Sequence, residues 1–386
     1  MAGFSLVEIL VAMVIGLIAT LVVMQVFFGS EARGRSAAGN ADSQSNGVMT
    51  FYQMQSHIQK AGYGLDSIGL YNCLVSWTPA SGAPIDKAII LAPVSVNPVG
   101  SKAGVQSALL PAGDANTDTL LVVYGNGNGQ PQGNPVIDKL GVVYTMQMPG
   151  AFEVGDRVIL ALDTAPGFCG ATVLNIDRVA AVDATTVTLV TGNAGVAMFN
   201  LGKGPNGVNV TPTSANPSNG PSILAYAVRN GDLTVCDFTV HDCSLDANKT
   251  LTTVWVPIAS NIVSMRATYW NDTSGAWDGS SHTSNQTQPA TACLRAKVKA
   301  ISLVLVARNT ERDKEVVTTT TLNGVSAADA NKPVWDQDGV APLVANTGAL
   351  GPDAAADEEW KHYRYKTFQA LIPLRNVNWM GRPTGC

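Results

Sequence analysis

One carboxylate, Glu8, stands near the start of the apolar run "GFSLVEILVAMVIGLIATLVVMQVFF", residues 3 to 28. At the centre of a membrane span an acidic side chain costs roughly 2.5 to 3.5 kcal/mol, and less near the end, where it reaches the interface. A cation beside it offsets that cost. Cutting the chain after Gly3 creates one, the α-amino group of Phe4, four residues before Glu8. On a helix this is an i, i+4 pairing within one chain, and a neighbouring subunit's amine serves equally well. Either pairing requires a processed N-terminus. The plainer alternative is an interfacial glutamate.

The other chemistry-bearing residues form no motif. His57, His241, His282 and His362 sit in no HExxH, HxH or Cys/His spacing, so no metal site is expected. His57 falls within a helical segment and reads as a surface residue. "GNGNGQ" lacks the Lys-Ser/Thr and helical context that a phosphate cradle needs, and reads as a loop. Asp272 and Asp278 flank a glycine turn in "NDTSGAWDG" without the order or terminal Glu of a calcium loop, so a solvated turn is expected. Asp357, Glu358 and Glu359 read as a solvated acidic run. With no cofactor motif and no nucleophile–base pair, no catalytic residue is assigned and no enzyme is expected.

Composition narrows the class. Hydrophobic residues make up 46% and charged residues 14%, with 37 Gly and 20 Pro, which suits a loop-rich, largely β protein outside the cytoplasm. The net charge is -5 and no basic cluster occurs, so no nucleic acid is expected as partner. Six cysteines, Cys73, Cys169, Cys236, Cys243, Cys293 and Cys386, contain no CxxC and permit disulfides in an oxidising compartment. Cys236 and Cys243 are the best local pair, because "CDFTVHDC" closes a short hairpin; the full connectivity stays open.

These residues are positioned by two kinds of element. From Phe4 to Phe28 the run is about 25 residues, long enough at ~1.5 Å per residue to span a bilayer core. Beyond it the chain turns polar without a proline. Val48, Phe51, Gln55, Ile58 and Ala61 recur at helical spacing, which predicts a helix continuing to about Ala61. Gly29, Gly34, Gly39 and Gly47 soften it by roughly 1 kcal/mol each relative to Ala, and "GYG" at 62 to 64 ends it. From there short apolar runs alternate with turn residues. Strands are predicted within 88–94, 118–125, 156–162, 171–182, 185–192, 223–236, 253–258, 263–270 and 296–308, with "RNGD" as a hairpin turn. Segments 125–135, 202–222, 271–291 and 324–357 read as loops or insertions. The pattern is α+β with an antiparallel, β-rich head.

Gly3-Phe4 followed by "SLVE" and a long apolar helix resembles the class III leader of type IV prepilins and type II secretion pseudopilins. Only Met1 and Ala2 precede Gly3, where such leaders carry Lys or Arg, so 1–3 reads as a leader remnant. "FYQMQSHIQKAGYG", "DTLLVVYG", "GDRVIL", "SNIVSMRATYW", "KVKAISLVLVARN" and the ending "YRYKTFQALIPLRN" are similar, in this order, to the PilW-type minor pilins. The resemblance is dense in the first 65 residues or so and the last 25 or so, and sparse between.

That resemblance implies a pilin-like fold: 4–28 as transmembrane and assembly helix, 29–62 as its continuation, and 63–386 as a periplasmic head. It implies cleavage at Gly3/Phe4 by a prepilin peptidase, methylation of the Phe4 amine, and Glu8 neutralising an N-terminus during assembly. The expected location is the inner membrane, single-pass, then the pilus tip. The expected partners are other minor pilins, the major pilin, membrane lipid before assembly and a possible tip adhesin, and the expected role is priming a fibre that serves adhesion or twitching. The alternatives are a J-type minor pseudopilin of type II secretion and a membrane-tethered binding or adhesin-like domain, with Trp270 and Trp277 as candidate contacts.

Overall fold

The computed structural model describes residues 6–65, 68–79, 82–115, 117–125, 133–162, 169, 173–203, 221–271, 288–318, 321–322, 325–326, 334–337, 340–344 and 359–379. One α-helix, Leu6–Lys60, runs for 55 residues, roughly 80 Å at the α-helical rise. None of the residues Leu6–Phe28 in its first half is buried. Its second half lies on a β-rich head, so the α+β class expected from the sequence is present.

The face that docks is the predicted one at its C-terminal end, where Ile58 and Ala61 are fully buried, and is rotated from it further up. Positions 39, 43, 47, 50, 54, 58 and 61 are buried, a spacing of three and four that keeps one stripe of the helix inward. Val48 points outward, 50% exposed, and Phe51 and Gln55 sit at the edge of the contact. The glycines expected to soften the helix are what lets it approach. A β-carbon on Gly39 would overlap the Asn309 side chain, and one on Gly47 would overlap the Phe368 ring. Below them Met54 and Ile58 are fully buried, each contributing about 1.5 to 3 kcal/mol by removal from water.

The helix ends where the glycines require. Gly62 has φ +82 and Gly64 φ +73, the left-handed conformation that closes a helix C-terminus. Asn376 Nδ2 donates to the carbonyls of Lys60 at 2.9 Å and Ala61 at 3.1 Å, covering backbone oxygens the helix leaves open. The Gly62 amide donates to Val123 O at 2.9 Å, so the chain passes from helix into sheet without a free segment.

Two antiparallel sheets receive the helix. One has three strands in the order Ile262–Asn271, Val298–Arg308, Tyr365–Pro373. The other has five, in the order Val256–Ala259, Asp232–Asp237, Ser222–Arg229, Leu120–Tyr124, Val94–Val96. Met54, Ile58 and Ala61 join Leu120, Val122, Tyr226, Met265, Leu303 and Leu305 in one core. Leu121, Val123, Ala225 and Ala227, the alternate residues of the same strands, face a second core on the other side. Burial on both faces explains why "DTLLVVYG" shows an unbroken apolar run instead of alternation. The "RNGD" turn places Asn230 at φ +53 and Gly231 at φ +77, as a tight hairpin needs.

The second core lies between the five-stranded sheet and the outside of a six-stranded antiparallel barrel, which has a core of its own. Asn134–Leu140, Val143–Met146, Thr186–Leu189, Leu174–Val182, Asp156–Ala161 and Ala197–Lys203 pair in that order, and the last pairs with the first. Val158 and Leu160 point inward with Tyr144, Met146 and Met198, while Ile159 and Ala161 point out to the five-stranded sheet. The barrel is inserted between Leu120–Tyr124 and Ser222–Arg229, which are neighbours in the sheet. Leu174–Val182 also carries Leu74–Ser76 in parallel, the exception to the antiparallel expectation.

Several expectations need correction. Asn134–Leu140, Val143–Met146, Ala197–Lys203 and Tyr365–Pro373 are strands not predicted from the sequence, and "AIILAPV" splits into Ala88–Ile90 and Val94–Val96 around Pro93. The segment read as insertion at 324–357 holds short strands, Val334–Gln337 paired with Val340–Val344. Ala292–Ala296 is a short helix started by Thr291, whose hydroxyl accepts from the Leu294 amide at 3.2 Å.

Candidate functional site

The first half of the long helix is an extended exposed apolar surface. Leu6–Phe28 is a 23-residue apolar stretch with none of its residues buried. At ~1.5 Å per residue this exceeds the ~30 Å of a bilayer core, so this one N-terminal helix is long and apolar enough to cross a membrane. Its one polar hydroxyl, Thr20 Oγ1, turns back to donate to Leu17 O at 2.8 Å, which keeps the helix surface apolar. Glu8 lies in the first turn and is exposed. A carboxylate there faces the positive end of the helix dipole. Gly3 and Phe4, the expected processing positions, lie outside the described residues.

Where the helix meets the head, titratable groups gather. His57 was expected at the surface; instead it is half-buried, with Nδ1 hydrogen-bonded to the Tyr226 hydroxyl at 2.5 Å. Burial, then the charge of Lys60, lowers the His57 pKa from its ordinary value to about 4. Burial also raises the Tyr226 and Tyr124 hydroxyls above the usual tyrosine range. Asp237, on the neighbouring strand, is pushed up by burial against the opposing hydrogen bonds from Thr239. Such clustering of perturbed groups marks active sites in many enzymes. Here every leading cause is loss of water at the helix–sheet contact, and the neutral His57 is held against a packed tyrosine. The arrangement fastens the helix to the sheet.

A second buried contact joins the two sheets. Asp118 accepts from Asn97 Nδ2 at 2.9 Å and from the Ala267 amide at 3.1 Å, with Arg266 Nη1 at 3.5 Å. Burial pushes its pKa up, and Arg266 and the amides pull the other way. Neither residue stands in a recognisable motif, because the partners are far apart in sequence.

Cysteine chemistry in the described residues is structural. Cys73 bonds Cys169 and Cys236 bonds Cys243, with Cα separations of 5.5 and 5.9 Å. Cys293 is also disulfide-bonded, and no described cysteine is free. No cluster of His, Cys, Asp or Glu among the described residues has the geometry to hold a metal ion. Asp272, Asp278, Trp277, His282, Asp357, Glu358 and Cys386 lie outside the described residues, as does most of the "GNGNGQ" loop. Trp270 is half-buried near the end of its strand.

The arrangement therefore offers an uncovered apolar rod, acidic at its free end and clamped into a disulfide-bonded β head at the other. No family model, no curated protein and no solved structure matches this chain.

Proposed function

We propose that this protein is a minor type IV pilin of the PilW type, a non-enzymatic subunit that primes pilus assembly with other minor pilins and sits at or near the fibre tip. The observation that supports it is the division of one helix into two faces of different kind. Residues 39–61 present a stripe buried against the head, whereas Leu6–Phe28, apolar but for Glu8 and Thr20, has none of its residues buried. A helix that is hydrophobic on every side requires a covering, first by lipid and then by like helices.

The sequence Gly3-Phe4 with Glu8 supplies the chemistry of that exchange. Cleavage after Gly3 by a prepilin peptidase frees the Phe4 amine, and Glu8 meets such an amine between subunits. In a medium of low dielectric the attraction of opposite charges is far stronger than in water, so pairing selects one axial register of the packed helices. The head, held in the periplasm, presents loops and strand edges to neighbouring subunits.

The test is incorporation. Gly3→Val and Glu8→Gln variants should accumulate in the inner membrane and fail to enter sheared pili. Normal amounts of both in the fibre fraction would sink the proposal.

A further inference from the structure

Cys293 is disulfide-bonded, and four of the other five cysteines are already joined to each other, Cys73 to Cys169 and Cys236 to Cys243. The sequence holds six cysteines, so the one left to answer Cys293 is Cys386. Chain length permits it. Asn378 Nδ2 donates to Lys299 O at 3.5 Å, and the Leu374 amide donates to the same oxygen at 2.8 Å. Cys293 sits in the short helix Ala292–Ala296, so Lys299 lies about 15 Å or less from it along the chain. The eight residues from Asn378 to Cys386 extend up to ~26 Å.

The anchor at Cys293 is firm. Ala296 of the same short helix is buried in the core under the five-stranded sheet, and Arg295 donates Nη1–H to the Asn72 side-chain oxygen, next to Cys73. The chain between Cys293 and Cys386, on the order of 90 residues long, carries much of the surface on which the long helix docks. Val298–Arg308 is the central strand of the three-stranded sheet and Tyr365–Pro373 is an outer one, paired with it from Ala300↔Pro373 to Arg308↔Tyr365. Asn309 lies against Gly39, Phe368 lies against Gly47, and Asn376 covers the carbonyls of Lys60 and Ala61. An outer strand opens more readily than the central one, and Phe368 would leave the helix with it.

We propose that Cys293 and Cys386 are joined within the chain, and that this bond closes a covalent ring around the docking platform which keeps the outer strand and Asn376 against the long helix. The bond forms by thiol–disulfide exchange with an external disulfide. The two cysteines lose two hydrogens and gain one S–S bond, while the S–S bond of the external disulfide breaks to two thiols that take up those hydrogens. A ring of this length restricts the opened chain strongly, which favours the closed strand. Nothing in this inference depends on assembly into a fibre.

Trypsin tests the bond. Cleavage after Arg266, Arg295 and Arg375, but not between Arg382 and Pro383, leaves Cys293 in the peptide 267–295 and Cys386 in the peptide 376–386. In a non-reduced digest of the full chain, extracted in detergent with free thiols blocked, the two peptides should appear as one mass that reduction splits. Cys386 carrying the blocking group, Cys293 linked to any other cysteine, or a reducible dimer joined through Cys293 would overturn the pairing. Hydrogen exchange of Cys386→Ser then tests the ring. Amides of Tyr365–Pro373 and of helix residues 54–60 should exchange faster by about tenfold or more, while barrel amides change by about twofold or less. Exchange in the outer strand and helix end as slow as in the unaltered chain would overturn the role of the ring. The peptide mapping uses the unaltered protein and stands even where Cys386→Ser fails to fold.

Discussion

The Phe368 ring occupies the space that a β-carbon on Gly47 would need, so the long helix rests on the three-stranded sheet at the distance of a bare backbone. Replacing Gly47 by Leu forces the ring and the helix apart. We expect Gly47→Leu to cost about 1 to 3 kcal/mol through overpacking, read as a lower midpoint of thermal unfolding of the full chain. Phe368→Ala in the same chain should restore part of the loss, because the two residues act through one contact. Gly34 has open space around its α-carbon, so Gly34→Ala should be neutral or stabilising by up to about 1 kcal/mol. Equal effects at Gly47 and Gly34 would remove the docking argument.

His57 makes the helix contact sensitive to acid. Its folded pKa, about 4, lies below the ordinary value of 6.5, so the folded state binds fewer protons than the unfolded state between those values. The stabilisation is therefore complete above about pH 6.5 and is lost as the pH falls through about 4. With the ring partly open to solvent, the contribution is on the order of 2 kcal/mol after discounting for screening. Urea unfolding across this range should show the slope of stability against pH reduced by about one proton in His57→Gln. An unchanged slope would contradict the assignment.

The two described disulfides close loops of very different length, with sequence separations of 96 for Cys73–Cys169 and 7 for Cys236–Cys243. On chain-entropy grounds, removing the first pair with alanines should cost about 4 to 5 kcal/mol and removing the second about 2 to 3. Denaturant unfolding of the two double variants measures the order. A larger loss from the short loop would show that the bonds act chiefly through local packing of the folded state.

The sequence carried the helix and the central strands openly. "DTLLVVYG" and "RNGD" name their structures because burial on both faces and a positive φ are local demands. The docking face was read correctly at Ile58 and Ala61 and missed further up for a physical reason: apolar spacing pointed to Val48, whereas the contact there uses Gly39, Ser43, Gly47 and Thr50, small residues that allow close approach. Half of the barrel was legible, since strands were predicted within 156–162, 171–182 and 185–192; its other strands were not. "NPVIDKL" and "AMFNLGK" contain Pro, Asp, Lys, Asn and Gly, poor strand formers on their own. They are held by pairing partners far along the chain, which no local window contains. His57 shows the same limit, since its depressed pKa comes first from burial in the helix–sheet contact, where its hydrogen-bond partner Tyr226 is 169 residues away. Glu8 stood out from the start because a carboxylate in an apolar run is anomalous by itself.

The state of the N-terminus tests the central claim most directly. Mass spectrometry of the protein extracted from membranes and from sheared pili, followed by N-terminal peptide sequencing, reads it in one step. A chain beginning at an N-methylated Phe4 is the predicted result in both fractions. A chain still carrying Met1 or Gly3 within assembled fibres would contradict it.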